Sequence, residues 1–88
     1  MLVTIERMLK LVKYVVVVKD VLNDKVHYLN PVADYLNQLT TNLDDAPKFS
    51  SGELAEEAYR VLKDRIPIGC SVAIYALEGE DFKLHKTL

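Results

Sequence analysis

Apolar side chains run almost unbroken from Leu11 to Val18, interrupted only by Lys13. The valines that dominate this run are β-branched, which suits a pleated surface and crowds a helix. The run therefore predicts a central strand. Both of its faces are apolar, with Val12, Tyr14, Val16 and Val18 on one and Leu11, Val15 and Val17 on the other. Such a strand needs cover on both sides, or a helix on one side and a second subunit on the other. Residues 70–77 behave alike, Val72, Ile74 and Ala76 alternating with Ala73, Tyr75 and Leu77. Phe82-Lys83-Leu84-His85-Lys86 alternates strictly, which predicts an edge strand with Phe82 and Leu84 inward and its basic residues outward, where lysines discourage further pairing. Asn23-Asp24 is a turn leading into a second strand at Lys25–Leu29, and Glu78-Gly79-Glu80-Asp81 is a turn between the last two strands.

The rhythm changes to helical spacing over residues 49–67. Leu54, Ala55, Ala58, Val61 and Leu62 share one face, and Glu56, Glu57, Arg60, Lys63 and Asp64 fill the other. Ser50 and Glu53 have the spacing of a capping box, and Phe49 and Leu54 that of a hydrophobic staple. Ile66-Pro67 ends the helix, because proline disfavours helical backbone in the residue before it. Asn30-Pro31 reads as the cap and first residue of a shorter helix of about nine residues, with Val32, Leu36 and Leu39 as its stripe beside Tyr35. Residues 1–10 fit a short helix capped by Thr4 and a strand extension equally well. The pattern thus predicts a single α+β domain over 1–88, an antiparallel four-stranded sheet in ββααββ order with helices on one face, and residues 1–7 as a loose N-terminal arm.

Composition narrows the function classes. Half of the 88 residues are hydrophobic and 27% are charged, which is globular rather than disordered. The net charge is −2 without a dense cluster of either sign, which argues against a partner bound by phosphate neutralisation and makes nucleic acid an improbable ligand. Residues 1–30 hold five basic and three acidic groups, and the remainder six and ten, a mild dipole read as a solvated-face accident. The single Cys70 excludes an internal disulfide and fits a reducing cytosol. No signal peptide is visible and the apolar run at 11–18 is too short to span a bilayer, so a cytoplasmic location and no membrane role are expected.

Catalytic patterns find little support. His27 and His85 are unrelated in sequence and read as surface residues rather than ligands, Cys70 reads as an inert thiol, and Asp44-Asp45 and Glu56-Glu57 are adjacent carboxylates whose side chains diverge. The expectation is a non-enzyme without metal or cofactor. Binding readings survive better. The two-faced strands 11–18 and 70–77 hold more apolar surface than one helical layer covers, which leaves an apolar sheet face or groove to be buried by something else. The other candidate, and the predicted partner-binding site, is the segment holding Tyr35, Leu36, Leu39 and Leu43, which mixes an aromatic, leucines and uncharged polar groups as interfaces do.

The stretch Thr41-Asn42-Leu43-Asp44-Asp45-Ala46-Pro47-Lys48-Phe49-Ser50-Ser51 running into Glu56-Glu57-Ala58, after a hydrophobic strand ending in Val-Lys-Asp and an aromatic second strand, resembles short uncharacterised proteins of phages and prophages over residues 13–65. Those share a T-x-D/N-L-x-x-A-x-x-F stretch before a helix rich in Glu and Ala; the segment 30–39 and Pro47 depart from the pattern. The resemblance implies a phage-type accessory protein that binds and modulates a host protein in the host cytoplasm. Excess apolar sheet surface adds the expectation of a homodimer. The alternatives are a homo-oligomeric structural or assembly subunit, and a weak binder of small ligands or of single-stranded nucleic acid with Tyr14 and Tyr28 stacking bases beside Lys13 and Lys25.

Overall fold

The computed structural model describes residues 12–30 and 39–88. They form five strands, β1 (Val12–Asp20), β2 (Lys25–Leu29), β3 (Leu39–Thr40), β4 (Cys70–Glu78) and β5 (Asp81–Thr87), and one α-helix, α1 (Gly52–Leu62). The strands make a single antiparallel sheet in the order β3-β2-β1-β4-β5. This corrects the four-stranded ββααββ expectation. Leu39, assigned to the stripe of a second helix, lies instead in β3, paired with Leu29, and adds a fifth strand. A two-residue strand carries no periodicity of its own, so only its pairing partner reveals it. The rest of that expected helix, the N-terminal helix or strand and the loose arm lie outside the described residues.

β1 is central, with β4 against it over nine residue pairs and β2 over four. Residues directly opposite in such a ladder share a face. The register therefore defines a first face with Val16 beside Ile74 and Val18 beside Val72, and a second with Val15 beside Tyr75 and Val17 beside Ala73. The main core lies on the first face, where Val16, Val18, Leu29, Val72 and Ile74 meet Ala55 and Leu62 of α1. Burying an aliphatic side chain of this kind contributes about 1.5–3 kcal/mol.

α1 is rotated and shifted relative to its sequence reading. Ser51, not Ser50, is the cap: its hydroxyl oxygen accepts from the Leu54 N–H at 3.1 Å. Phe49 makes no staple. It exchanges two backbone hydrogen bonds with Tyr14, Tyr14 N–H to Phe49 O at 2.8 Å and Phe49 N–H to Tyr14 O at 2.7 Å, which ties the entry of the helix to the centre of the sheet. Leu54 and Val61 are then left 47% and 75% exposed, and Tyr59 joins Ala55, Ala58 and Leu62 on the packed side. The helix unwinds through a 3-10 turn at Lys63–Arg65, and Ile66 before Pro67 is extended, as the proline requires.

The β4–β5 hairpin turns on Gly79 at φ 63, a left-handed conformation that glycine adopts without strain. Farther along, His85 is an extra residue in β5, because Ile74 opposes Lys86 while Tyr75 opposes Leu84. Phe82 and Leu84, on the turn side of that bulge, sit on the second face through their pairing with Leu77 and Tyr75, 42% and 57% exposed, rather than turned into the core. His85 packs edge-on against Tyr14, ring centroids 4.9 Å apart, above the first turn of α1.

Replacing Ile74 by alanine is expected to lower stability by about 2–5 kcal/mol, and by valine about 0.5–1.5 kcal/mol, in urea unfolding; losses for both variants under 0.5 kcal/mol would show that the β4 side chain is not at the centre of the core. Gly52 is required by close approach, since a Cβ there would stand 2.5 Å from His85 Nε2. Gly52→Ala is therefore expected to lower stability in the natural sequence and to be neutral or stabilising in a His85→Ala background, a difference of about 0.5–1 kcal/mol. Equal effects in both backgrounds would place the imidazole elsewhere.

Candidate functional site

The residues that sequence patterning singles out for chemistry are dispersed by the sheet. His27 is on β2 and His85 on β5, three strand spacings apart, or about 14 Å. Cys70 is half-buried at the start of β4, opposite Asp20 and against the core. Asp44 and Asp45 are exposed in a 3-10 turn capped by Asn42, whose side chain accepts from the Asp44 N–H at 3.0 Å. Among the described residues no three His, Cys, Asp or Glu side chains are grouped to hold a metal ion. Tyr14 faces the helix and Tyr28 faces away from it, so these two rings cannot stack neighbouring bases on one surface. Of the predicted partner-binding residues, Tyr35 and Leu36 lie outside the described residues. Leu39 is half-buried against the core from β3, and Leu43 is half-buried in the 3-10 turn.

Among the described residues a concave feature lies on the second face. A groove of about 360 Å³ has Val17 and Ala73 as its floor and Tyr28, Tyr75 and Phe82 as its aromatic walls. Lys19, Val26 and Ser71 form its mouth, at the end of the sheet where β1 turns into β2. The geometry follows from side-chain size along β4: Ser71 and Ala73 are small, Tyr75 is large, and every second residue points the same way. Tyr75 is braced by Phe82 across the hairpin, the two rings stacked at 4.6 Å between centroids and 13° between planes. Val15 and Val17 are buried on this face, whereas Val26 at the groove mouth is 42% exposed. The face is dry along its centre and apolar but open at its margins.

The apolar second face was expected from the two-faced strands 11–18 and 70–77, but the residues that make its groove were not identified, although their signal was present. The spacing of Ser71, Ala73 and Tyr75 marks a strand whose second face steps from small to large, and Tyr28 falls opposite that step through Val17. The register, which no local pattern specifies, is what converts those residues into a groove.

No family model matches the chain, and no curated protein and no solved structure is significantly similar to it. Among the described residues no helix is long and apolar enough to cross a membrane.

Two surface carboxylates have titrations displaced by their neighbours. Lys86 donates to Glu56, and this bond, followed by the attraction of Lys86 and then of Arg60 at 2.6 Å, holds the Glu56 carboxyl below its usual range. Burial opposes the shift without reversing it. Asp20 is lowered first by the Asn23 side-chain amide, which donates at 2.7 Å, and then by the Asn23 and Leu22 backbone N–H groups at 3.3 and 3.1 Å. Glu56 thereby links α1 to β5, and Asp20 pins the β1–β2 turn. A carboxyl that titrates lower in the folded than in the unfolded chain contributes stability above its unfolded value, and loses it as pH falls through the folded value. Stability is expected to decline below about pH 5, where carboxylates of the unfolded chain begin to protonate. The pH slope should be shallower in Glu56→Gln and Asp20→Asn; unchanged slopes in urea titrations from pH 6 to pH 2.5 would remove both groups as contributors.

Proposed function

We propose that this chain is a small non-enzymatic interaction domain that binds a protein partner through the second face of its sheet. The observation that carries the reading is the aromatic groove there, with Val26, Phe82 and Leu84 as its half-exposed apolar margin. Aromatic side chains around a dry centre, with polar groups at the rim, are the composition of protein interfaces, where a few anchors in pockets supply most of the affinity. The dispersal of His27, His85 and Cys70 leaves them without mutual geometry for acid–base or nucleophilic work, which favours binding over catalysis.

Self-assembly through the exposed edge of β5 is a poorer match. His85 bulges the strand and Lys83 stands on it, two devices that interrupt regular edge pairing. The tip formed by Val21, Leu22 and Ile68 is also exposed, with the Leu22 side chain lying over Gly69, but it has no concavity to seat an anchor.

A hydrophobic fluorescent dye such as anilinonaphthalene sulfonate is expected to bind the native protein at this face. Ala73→Phe, which fills the groove, and Tyr28→Ala, which removes a wall, should each reduce binding several-fold while the unfolding transition persists. Leu22→Asp at the tip should leave it unchanged. Dye binding that follows Leu22 rather than Ala73 and Tyr28, or no binding to the native protein, would overturn the assignment of the face.

A further inference from the structure

We infer that the partner segment seated in the groove is acidic, an apolar or aromatic anchor side chain flanked by carboxylates. The inference rests on the proposed role of the second face and adds the chemistry of what binds there. Charge is sorted between the two sides of the sheet. Following the register, the strand positions of the described residues on the second face carry two charged groups, Lys13 and Lys19, and no carboxylate. Asp20, Glu78 and Asp81 fall on the helix side, and Glu56 is held there by Lys86 and Arg60. A chain with net charge −2 thus places only basic charged groups at the described strand positions of this face, with Asp24 of the adjoining turn beside Lys19.

Lys19 is placed to act on a ligand in the groove because it forms part of the mouth. Its ammonium stands 3.8 Å from Asp24, but both side chains are exposed, and an exposed pair at that separation contributes little and is readily exchanged for another carboxylate. The groove itself is apolar and aromatic, and at about 360 Å³ it has room for a bulky side chain. Face-to-face pairing with a second copy would oppose Lys19 to a like-charged face, which disfavours that occupant. A nucleic-acid strand would find rings to stack on but, at the described strand positions, only two separated ammonium groups to follow its phosphates. An acidic peptide with one large anchor satisfies both the walls and the rim.

The test is selection of random peptides against the full-length protein, followed by affinity measurement of the most enriched peptide. The enriched sequences are expected to share Phe, Trp or Leu with Asp or Glu within a few residues. Lys19→Glu, an exposed change that should leave the fold intact, is expected to weaken the selected peptide about tenfold, and replacing its carboxylates by lysines should do the same. Ala73→Phe and Tyr28→Ala should abolish binding. A basic or uncharged consensus, or indifference to Lys19→Glu, would overturn the acidic partner; if such peptides still required Ala73 and Tyr28, the second face would stand as the binding surface. Selected peptides indifferent to Ala73→Phe and Tyr28→Ala would overturn both readings, and so would the absence of any enriched peptide. Oligothymidylate binding more tightly than the selected peptide, with steep salt dependence, would replace the peptide by a single nucleic-acid strand.

Discussion

The ladder between β1 and β4 is the constraint from which the other features follow. It joins residues far apart in the chain, Val12 with Glu78 at one end and Asp20 with Cys70 at the other. Pairing at such separation costs loop-closure entropy before any contact returns it. The compensation is that each central pair is apolar on whichever face it lies: Val16 with Ile74 and Val18 with Val72 on the helix side, Val15 with Tyr75 and Val17 with Ala73 on the other. A register slip of one residue would exchange these sets, setting Val16 and Val18 against the wrong layer. Because both sets are apolar, alternation alone does not select the side for α1. The backbone bonds between Tyr14 and Phe49 help to do so, by fixing where the chain enters the helix.

Dimensions then decide how much of the sheet the helix can serve. An eleven-residue helix is about 16 Å long and about 10 Å across with its side chains, whereas five strands at about 4.8 Å extend roughly 24 Å. One such helix covers part of one face. It buries Ala55 and Leu62 against β1 and β4 and leaves Leu54 and Val61 to solvent. The second face receives no described helix, and its groove lies where the small side chains of Ser71 and Ala73 meet the rings of Tyr28 and Tyr75. Core and candidate site are thus two sides of one pair of strands, and a change in either valine set acts on both through a shared backbone.

The inner strands, both hairpins and the amphipathic helix were legible because each has a local signal: β-branched runs, turn residues, a cap and a proline stop. Asn23-Asp24 fulfils its reading with Asp24 at φ 51, and Gly79 does the same in the second hairpin. What was not legible depends on tertiary register. β3 is too short to have a pattern, and Leu39 suited a helical stripe because its spacing from Leu36 fits a helix and carries no sign of its pairing with Leu29. The rotation of α1, which trades Val61 for Tyr59, is set by the sheet it rests on. An apolar sheet face or groove was legible in the two-faced strands, but its lining residues were not, for the same reason: Tyr28, Ala73 and Phe82 belong to three strands and become neighbours only through the ladder.

The clearest case is β5, where strict alternation in sequence gave the wrong inward set. Alternation assigns Phe82, Leu84 and Lys86 to one side of the strand, and an unbulged strand would carry Lys86 onto the second face behind the two apolar residues. The extra residue at His85 reverses the parity at that point. Lys86 crosses to the helix side and meets Glu56, while Phe82 and Leu84 remain opposite Leu77 and Tyr75 as an apolar margin uninterrupted by charge. His85 itself finds a place against Tyr14 only because Gly52 has no side chain beneath it. One inserted residue therefore does two things: it supplies the ion pair that ties the edge strand to the helix, and it removes a lysine from the rim of the groove. Lys19 is left as the charged side chain lining the groove mouth, and the edge is joined to the helix on the opposite side of the sheet from the groove.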